Sequence, residues 1–282
     1  MTGTDEAPHA AFLERDPLAR SLEGRPFPAS HPPDLARYAF FFDLDGTLAP
    51  IADTPDTASV PPFAIDILRR LVLATGGAVA VVSGRSAASL DHLLYPLHLP
   101  LSGLHGAQWR GPAGDWWQLP MPVEESTRLR RALHAVAAGH DGVFVEDKEL
   151  SFAVHYRHAP QQEAELRREV SAAAAPFAPR YVLQFGKMVA EVKPAGVDKG
   201  RALARFMGLE PFSSRVPVMA GDDLTDEPAF EIVNRRLGIS LKIGPGDSAA
   251  RHRLDDPGQL AQWLAGLLAD RYPPEHDARS MA

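Results

Sequence analysis

The chain contains no cysteine. That excludes disulfides, thiolate metal sites, cysteine nucleophiles and iron–sulfur clusters. It has no stretch near the roughly 20 apolar residues that a bilayer-spanning helix needs. The opening Met1-Thr2-Gly3-Thr4-Asp5-Glu6 has neither a basic region nor an apolar run behind it, so no signal peptide is expected. The expectation is a soluble, cytoplasmic protein with no membrane partner. Positive charge is also short. Lys and Arg number 29 against 36 Asp and Glu, a formal net charge of −7. Nucleic-acid binders usually carry a basic stripe, so nucleic acid is not an expected partner. A local positive site for a small anionic substrate remains open.

What is present is ordinary globular material: 282 residues, 45% hydrophobic and 23% charged. At roughly 100–200 residues per domain, that is one large domain or two modest ones. Residues 1–36 are rich in Pro, Ala and charge and read as a loosely attached arm. Tyr38–Phe42 and Ala78–Val82 are continuous apolar runs, the pattern of strands buried on both faces in a parallel sheet. Between them, Ile65, Leu68, Leu71 and Val72 are helically spaced after Pro61 and Pro62. Such alternation predicts an α/β fold with a doubly wound parallel sheet.

Between Leu119 and Lys193 the texture changes. Ser151–Arg157 and Lys187–Lys193 alternate with period two, as one-sided antiparallel strands do. Helices are predicted around Leu129–Val136 and Gln162–Ala174. Parallel-sheet texture then returns with a helix at Lys199–Met207, a strand at Val216–Ala220, a helix at Asp226–Asn234 and a strand at Leu237–Ile243. Pro217 counts against a central strand there. The last helix has Asp256 as its cap and a stripe of Leu260, Trp263, Leu264, Leu267 and Leu268. The organisation read from this is an arm (1–36), a core (37–118 and 196–272) interrupted by an α/β cap (119–195), and a tail (273–282).

Four segments carry chemistry. Asp43-Leu44-Asp45-Gly46-Thr47-Leu48 follows the first strand, where open α/β sheets bind ligands. Alternation along the chain lets Asp43 and Asp45 face one site. A plain acidic turn is the alternative; a calcium loop is excluded, since Gly46 falls too early and the flank is a strand. Ser83 closes the second strand, either as a helix cap or as an anion binder with Arg85 beside it. Asp222, Asp223, Asp226 and Glu227 cluster at another strand end and would repel one another without a cation such as Mg²⁺. Some of them can instead cap the next helix. Lys199 opens a helix against the dipole, which favours a carboxylate or phosphate partner over plain solvation.

These four segments, in this order, resemble the motifs of the haloacid-dehalogenase superfamily, and the insertion resembles its C2 cap. More narrowly, they resemble the trehalose-6-phosphate phosphatases. Gly103-Leu104-His105-Gly106, Glu146-Asp147-Lys148 and Gly186–Pro194 carry that narrower likeness. The resemblance implies Mg²⁺-dependent hydrolysis of trehalose 6-phosphate through an aspartyl-phosphate. It implies Asp43 as nucleophile and Asp45 as general acid/base. Asp43, Asp222 and the Asp45 carbonyl would hold the metal, with Asp226 behind them. Ser83, Gly84 and Lys199 would bind phosphate. Glu146, Lys148 and Glu191, with Arg85, His105 and Lys187, would bind the sugar. Two rivals stay open: another sugar-phosphate phosphatase or phosphomutase of the superfamily, and a sugar-phosphate sensor on the same scaffold. The second is disfavoured because every catalytic position is filled.

Overall fold

The computed structural model describes residues 16–22, 34–52, 54, 57–186 and 188–268. Lys187, most of the 1–36 arm and the 273–282 tail lie outside the described residues. The chain runs α1 (Pro17–Leu22), β1 (Tyr38–Phe42), α2 (Pro62–Ala74), β2 (Val79–Val82), α3 (Ala87–Leu93), β3 (Leu101–Gly103), β4 (Gln108–Arg110) and β5 (Trp116–Gln118). It continues α4 (Val123–Ala137), β6 (Phe144–Asp147), β7 (Phe152–His155), α5 (Glu163–Ala174), β8 (Tyr181–Gly186) and β9 (Val189–Pro194). It closes with α6 (Lys199–Phe206), β10 (Val216–Gly221), α7 (Glu227–Arg235), β11 (Ile239–Ile243), β12 (His252–Leu254) and α8 (Pro257–Leu268).

An eight-stranded sheet has the order β12-β11-β10-β1-β2-β3-β4-β5, parallel from β12 to β3 and antiparallel at β4 and β5. β1 is paired on both sides, so all five of its residues are buried. Its side chains alternate between two cores. Phe40 and Phe42 pack with Leu68, Leu71, Leu260 and Leu264 on one face. Phe41 packs with Phe206, Phe212 and Phe230 on the other. Each such ring contributes roughly 1.5–3 kcal/mol by leaving water. A second sheet, of order β6-β7-β9-β8, is wholly antiparallel. Leu129, Leu133, Leu166 and Val170 of α4 and α5 cover one face of it, on Phe152, Val154 and Val192.

Two sequence expectations need correction. Pro17–Leu22, read as part of a loose arm, is a helix with Leu18 and Ala19 fully buried in the core. Buried Asp16 fixes it, accepting from the Tyr38 hydroxyl at 3.0 Å. The Trp263 indole also donates to Ser21 at 2.8 Å. Pro217 does sit in a central strand. The β10–β11 ladder begins one residue later, at Val218, so the missing donor falls at the strand's start. Among the described residues, no helix is long and apolar enough to cross a membrane.

Candidate active site

β1 and β10 are parallel neighbours, with Phe42 opposite Ala220, so their following residues emerge at one edge of the sheet. That edge brings Asp43, Asp222 and Asp226 together, each with an oxygen within 4.8 Å of the others. Lys199 joins them from the first turn of α6. Its Nζ lies 2.8 Å from Asp43 Oδ2 and 2.8 Å from Asp226 Oδ1, and the residue is 1% exposed. The sequence argument for a partnered lysine at a helix start is met by two carboxylates. Asp198 caps that helix, accepting from the Arg201 amide at 2.7 Å. Asp226 turns its other oxygen to the Asp223 amide at 3.1 Å, so it serves the helix cap and Lys199 together.

The electrostatics follow from burial. Burial drives Asp43 up to about 6, against the opposing pull of Lys199. Burial, with Asp43 and Asp226 alongside, drives Asp222 up to about 8. Lys199 is held well above the usual lysine value, because Asp226 and Asp43 outweigh its own burial. Gly46 makes the close approach possible. Its φ is +71°, and a Cβ there would sit 2.2 Å from an Asp222 oxygen.

A raised carboxylate value has a stability consequence. The folded protein keeps the Asp222 proton where the unfolded chain has lost it, so Asp222 favours the fold at low pH and ceases to as pH rises to about 8. Relative to Asp222→Asn, metal-free wild type should lose up to about 1.4 kcal/mol per pH unit from pH 5 to pH 8 and then level off. Urea denaturation of both proteins in chelator across that range checks this. A constant difference would contradict the buried, charge-crowded setting of Asp222.

The second segment is divided differently from its simplest reading. Ser86, not Ser83, caps α3 by accepting from the Ser89 amide at 3.3 Å. Ser83 is buried and receives only a long bond from the Arg85 amide, at 3.4 Å. Its hydroxyl is therefore not consumed by capping. Gly84 packs under the His105 imidazole, where a Cβ would meet the ring at 2.6 Å. Arg85 grips Asp45 with both ends of its fork, at 2.7 and 2.8 Å. The Asp45 carboxylate is thus paired outside the three-carboxylate cluster.

The uncovered face of the second sheet completes the arrangement. Register places Glu146, Ala153, Glu191 and Gln184 in one row across its four strands. His105 Nε2 reaches from the core to Glu191 at 2.9–3.0 Å. Lys148 Nζ stands 3.5 Å from Glu191 and 3.7 Å from Glu146, and His155 holds Glu146 at 2.9 Å. Burial pushes His105 below its usual value, against the pull of Glu191. Burial resists ionisation of Glu191, yet His105, Lys148 and Lys193 together hold it well below the usual carboxylate range. Leu104 and His105 both have left-handed φ, +50° and +56°. Such backbone costs of order 1–2 kcal/mol per residue, a strain typical of functional sites.

Lys242 was missed in the sequence. It is buried in β11 and donates to the carbonyls of Asp222 and, at 3.2 Å, Ile243. A lysine inside the buried strand Ile239–Ile243, where only Ser240 is otherwise polar, was the available signal.

The profile of the trehalose-phosphatase family matches residues 41–257. A trehalose-6-phosphate phosphatase of Escherichia coli is 43% identical over 84% of this chain and 89% of its own length. A probable trehalose-phosphate phosphatase of Sinorhizobium fredii is 39% identical over 87% and 92%. The solved C-terminal domain of a C. albicans trehalose-6-phosphate phosphatase superposes with a TM-score of 0.74 at 23% identity, over 83% of this chain and 93% of that one. A phosphatase described as belonging to the haloalkanoate (HAD) superfamily, from Bacteroides thetaiotaomicron, superposes at 0.56 with 18% identity over 84% and 97%. The fold is therefore that of the haloacid-dehalogenase phosphatases, a doubly wound core with an antiparallel cap, and the chain belongs to the trehalose-phosphatase family.

Proposed function

We propose that this protein hydrolyses trehalose 6-phosphate to trehalose and phosphate, with Mg²⁺ as its metal. One observation carries the reading. A lysine-bridged carboxylate cluster suited to phosphoryl transfer lies beside a turn whose His105 reaches a cap face of carboxylates and lysines suited to sugar hydroxyls. The link is His105, rooted beside Ser83 and bonded to Glu191. The names of the relatives supply the particular sugar.

The donor set fits the metal. Its side chains offer carboxylate oxygens, crowded and desolvated until Asp43 and Asp222 resist ionising, which is what a hard divalent cation relieves. Asp43, Asp222 and the Asp45 carbonyl would hold it, with Asp226 behind. Bound there, Mg²⁺ offsets the repulsion between a carboxylate and a dianionic phosphate.

The chain's own residues divide the remaining work. Lys199 and Ser83 bind the phosphate oxygens, and Lys199 fixes the orientation of Asp43. Asp43 attacks phosphorus; the P–O bond to the sugar breaks, and Asp45, which must leave its Arg85 pair and take up a proton first, gives that proton to the departing oxygen. Asp45 then takes a proton from the water that attacks the aspartyl-phosphate, releasing phosphate and restoring Asp43. Glu191, Lys148 and Glu146 hold sugar hydroxyls, far from phosphorus, where their binding energy orients the reacting end.

That division predicts selective damage. Glu191→Ala and Lys148→Ala should each cost about 1–3 kcal/mol in kcat/KM for trehalose 6-phosphate. Hydrolysis of p-nitrophenyl phosphate, which has no sugar, should change little. Steady-state kinetics on both substrates checks this, and equal losses on both would remove the cap from substrate recognition.

A further inference from the structure

We propose that Lys242 is a positioning residue for the metal: it clamps the peptide that carries Asp222, so that the Asp222 carboxylate is presented to the cation. The proposal rests on the Mg²⁺ reading above and extends it to a residue outside the carboxylate cluster. Lys242 is 5% exposed and pairs with Gly221 across β11 and β10. Ile239, Leu241 and Ile243 turn to one core, so Lys242 leaves the sheet on the opposite face. Its ammonium donates to the carbonyls of Asp222 and Ile243. Among the described residues, those carbonyls are its hydrogen-bond acceptors and no carboxylate pairs with it.

Taking an ammonium out of water without a paired carboxylate is costly. The choice of acceptor shows what is gained. Asp222 offers a carboxylate as well as a carbonyl, and Lys242 takes the carbonyl. A lysine on the carboxylate would compete with a cation; a lysine on the carbonyl leaves both carboxylate oxygens to it. The other end of the same peptide is also held. The Asp223 amide donates to Asp226 Oδ2 at 3.1 Å, Asp226 Oδ1 receives Lys199 at 2.8 Å, and Lys199 reaches Asp43 Oδ2 at 2.8 Å.

A hydrogen-bonded line therefore runs from Lys242 through the peptide between Asp222 and Asp223, then through Asp226 and Lys199, to Asp43. It joins the two residues whose carboxylates would hold the metal and fixes one relative to the other. Among the described residues, the Asp222 carboxylate takes part in no hydrogen bond or ion pair, so its aim depends on the backbone beneath it. Outer partners that fix a ligand in this way sharpen metal affinity. Charge alone would act in the opposite direction. A buried cation beside the site repels a second cation, so a lysine acting only by charge would tighten Mg²⁺ when removed.

The test is a Mg²⁺ titration of metal-free protein followed by thermal melting, which reads the metal midpoint without turnover. Lys242→Met, of similar volume but without donors, should raise that midpoint about tenfold. Lys242→Arg, which keeps both the charge and the donors, should hold it within about threefold. Kinetics on trehalose 6-phosphate should show the same split: kcat of Lys242→Met recovers to within about threefold of wild type at saturating Mg²⁺, and KM hardly moves. Circular dichroism confirms folding. Should Lys242→Met fail to fold, Lys242→Gln takes its place, and its midpoint should rise at least about threefold. A merely structural lysine would lower the melting temperature of the metal-free protein and leave the midpoint where it is. An unmoved or lowered midpoint in the folded variant overturns the clamp. If wild-type protein itself gains no stability from Mg²⁺, the metal reading has failed, and the clamp with it.

Discussion

Lys199→Met should abolish phosphate release from trehalose 6-phosphate and destabilise the metal-free fold by about 3–5 kcal/mol at pH 8, the usual result of breaking a buried ion pair from one side. The ammonium is 1% exposed and holds two carboxylates at 2.8 Å each, one of them fully buried. Methionine fills similar volume but leaves both acids without their cation. The cost should shrink toward pH 5, because Asp43 and Asp222 then accept protons and the repulsion falls. Urea denaturation at the two pH values measures this. The double variant Lys199→Met/Asp226→Asn separates folding from catalysis: it should recover much of the stability and none of the activity. A folded single variant with more than a tenth of wild-type turnover would contradict the role given to Lys199.

Asp43→Asn should lower turnover by about 10⁴-fold or more, the scale seen when a covalent nucleophile is removed, while leaving the metal-free fold at pH 8 as stable as wild type or more so. An amide is a poor nucleophile, and the aspartyl-phosphate cannot form on it. The stability half of the expectation follows from linkage. The folded-state value of Asp43, about 6, lies above its ordinary 3.8, so the ionised carboxylate is a burden that the fold carries at pH 8 and is spared below pH 4. Asparagine removes that burden, although it leaves Lys199 with Asp226 alone. Phosphate release and a thermal melt on one preparation read both halves. A variant within tenfold of wild-type activity would reassign the nucleophile.

The legible parts of the fold were those with a local signature. β1 and β2 were visible because strands paired on both sides bury every side chain, and α8 because five apolar residues trace one helical face. β3, β4 and β5 were missed; at three residues each, they are too short to show a period. β6 hid because this half-exposed edge strand mixes polar and apolar residues at both faces, and β8 because Val182 and Gly186 on its outer face blur the alternation with Tyr181, Leu183 and Phe185. Helix α1 went unread because its anchor, Asp16 to Tyr38, spans 22 residues and leaves no local trace. At the site, the acids and Lys199 announced themselves by sitting at strand and helix ends. Their pairings did not. That Ser86 takes the capping work, that Arg85 closes on Asp45 and that His105 crosses to Glu191 are tertiary facts. Lys242 was concealed inside a strand of mixed Ile, Leu and Ser, where a lysine normally counts as an interruption rather than a clamp.

The most direct test is phosphate release from trehalose 6-phosphate, with glucose 6-phosphate and sucrose 6-phosphate in parallel, each in Mg²⁺ and after exhaustive chelation. The disaccharide-reading cap and the carboxylate cluster together predict a kcat/KM for trehalose 6-phosphate at least tenfold above the other two, lost in chelator and restored by Mg²⁺. Equal turnover of all three esters, or full activity without a divalent cation, would contradict it.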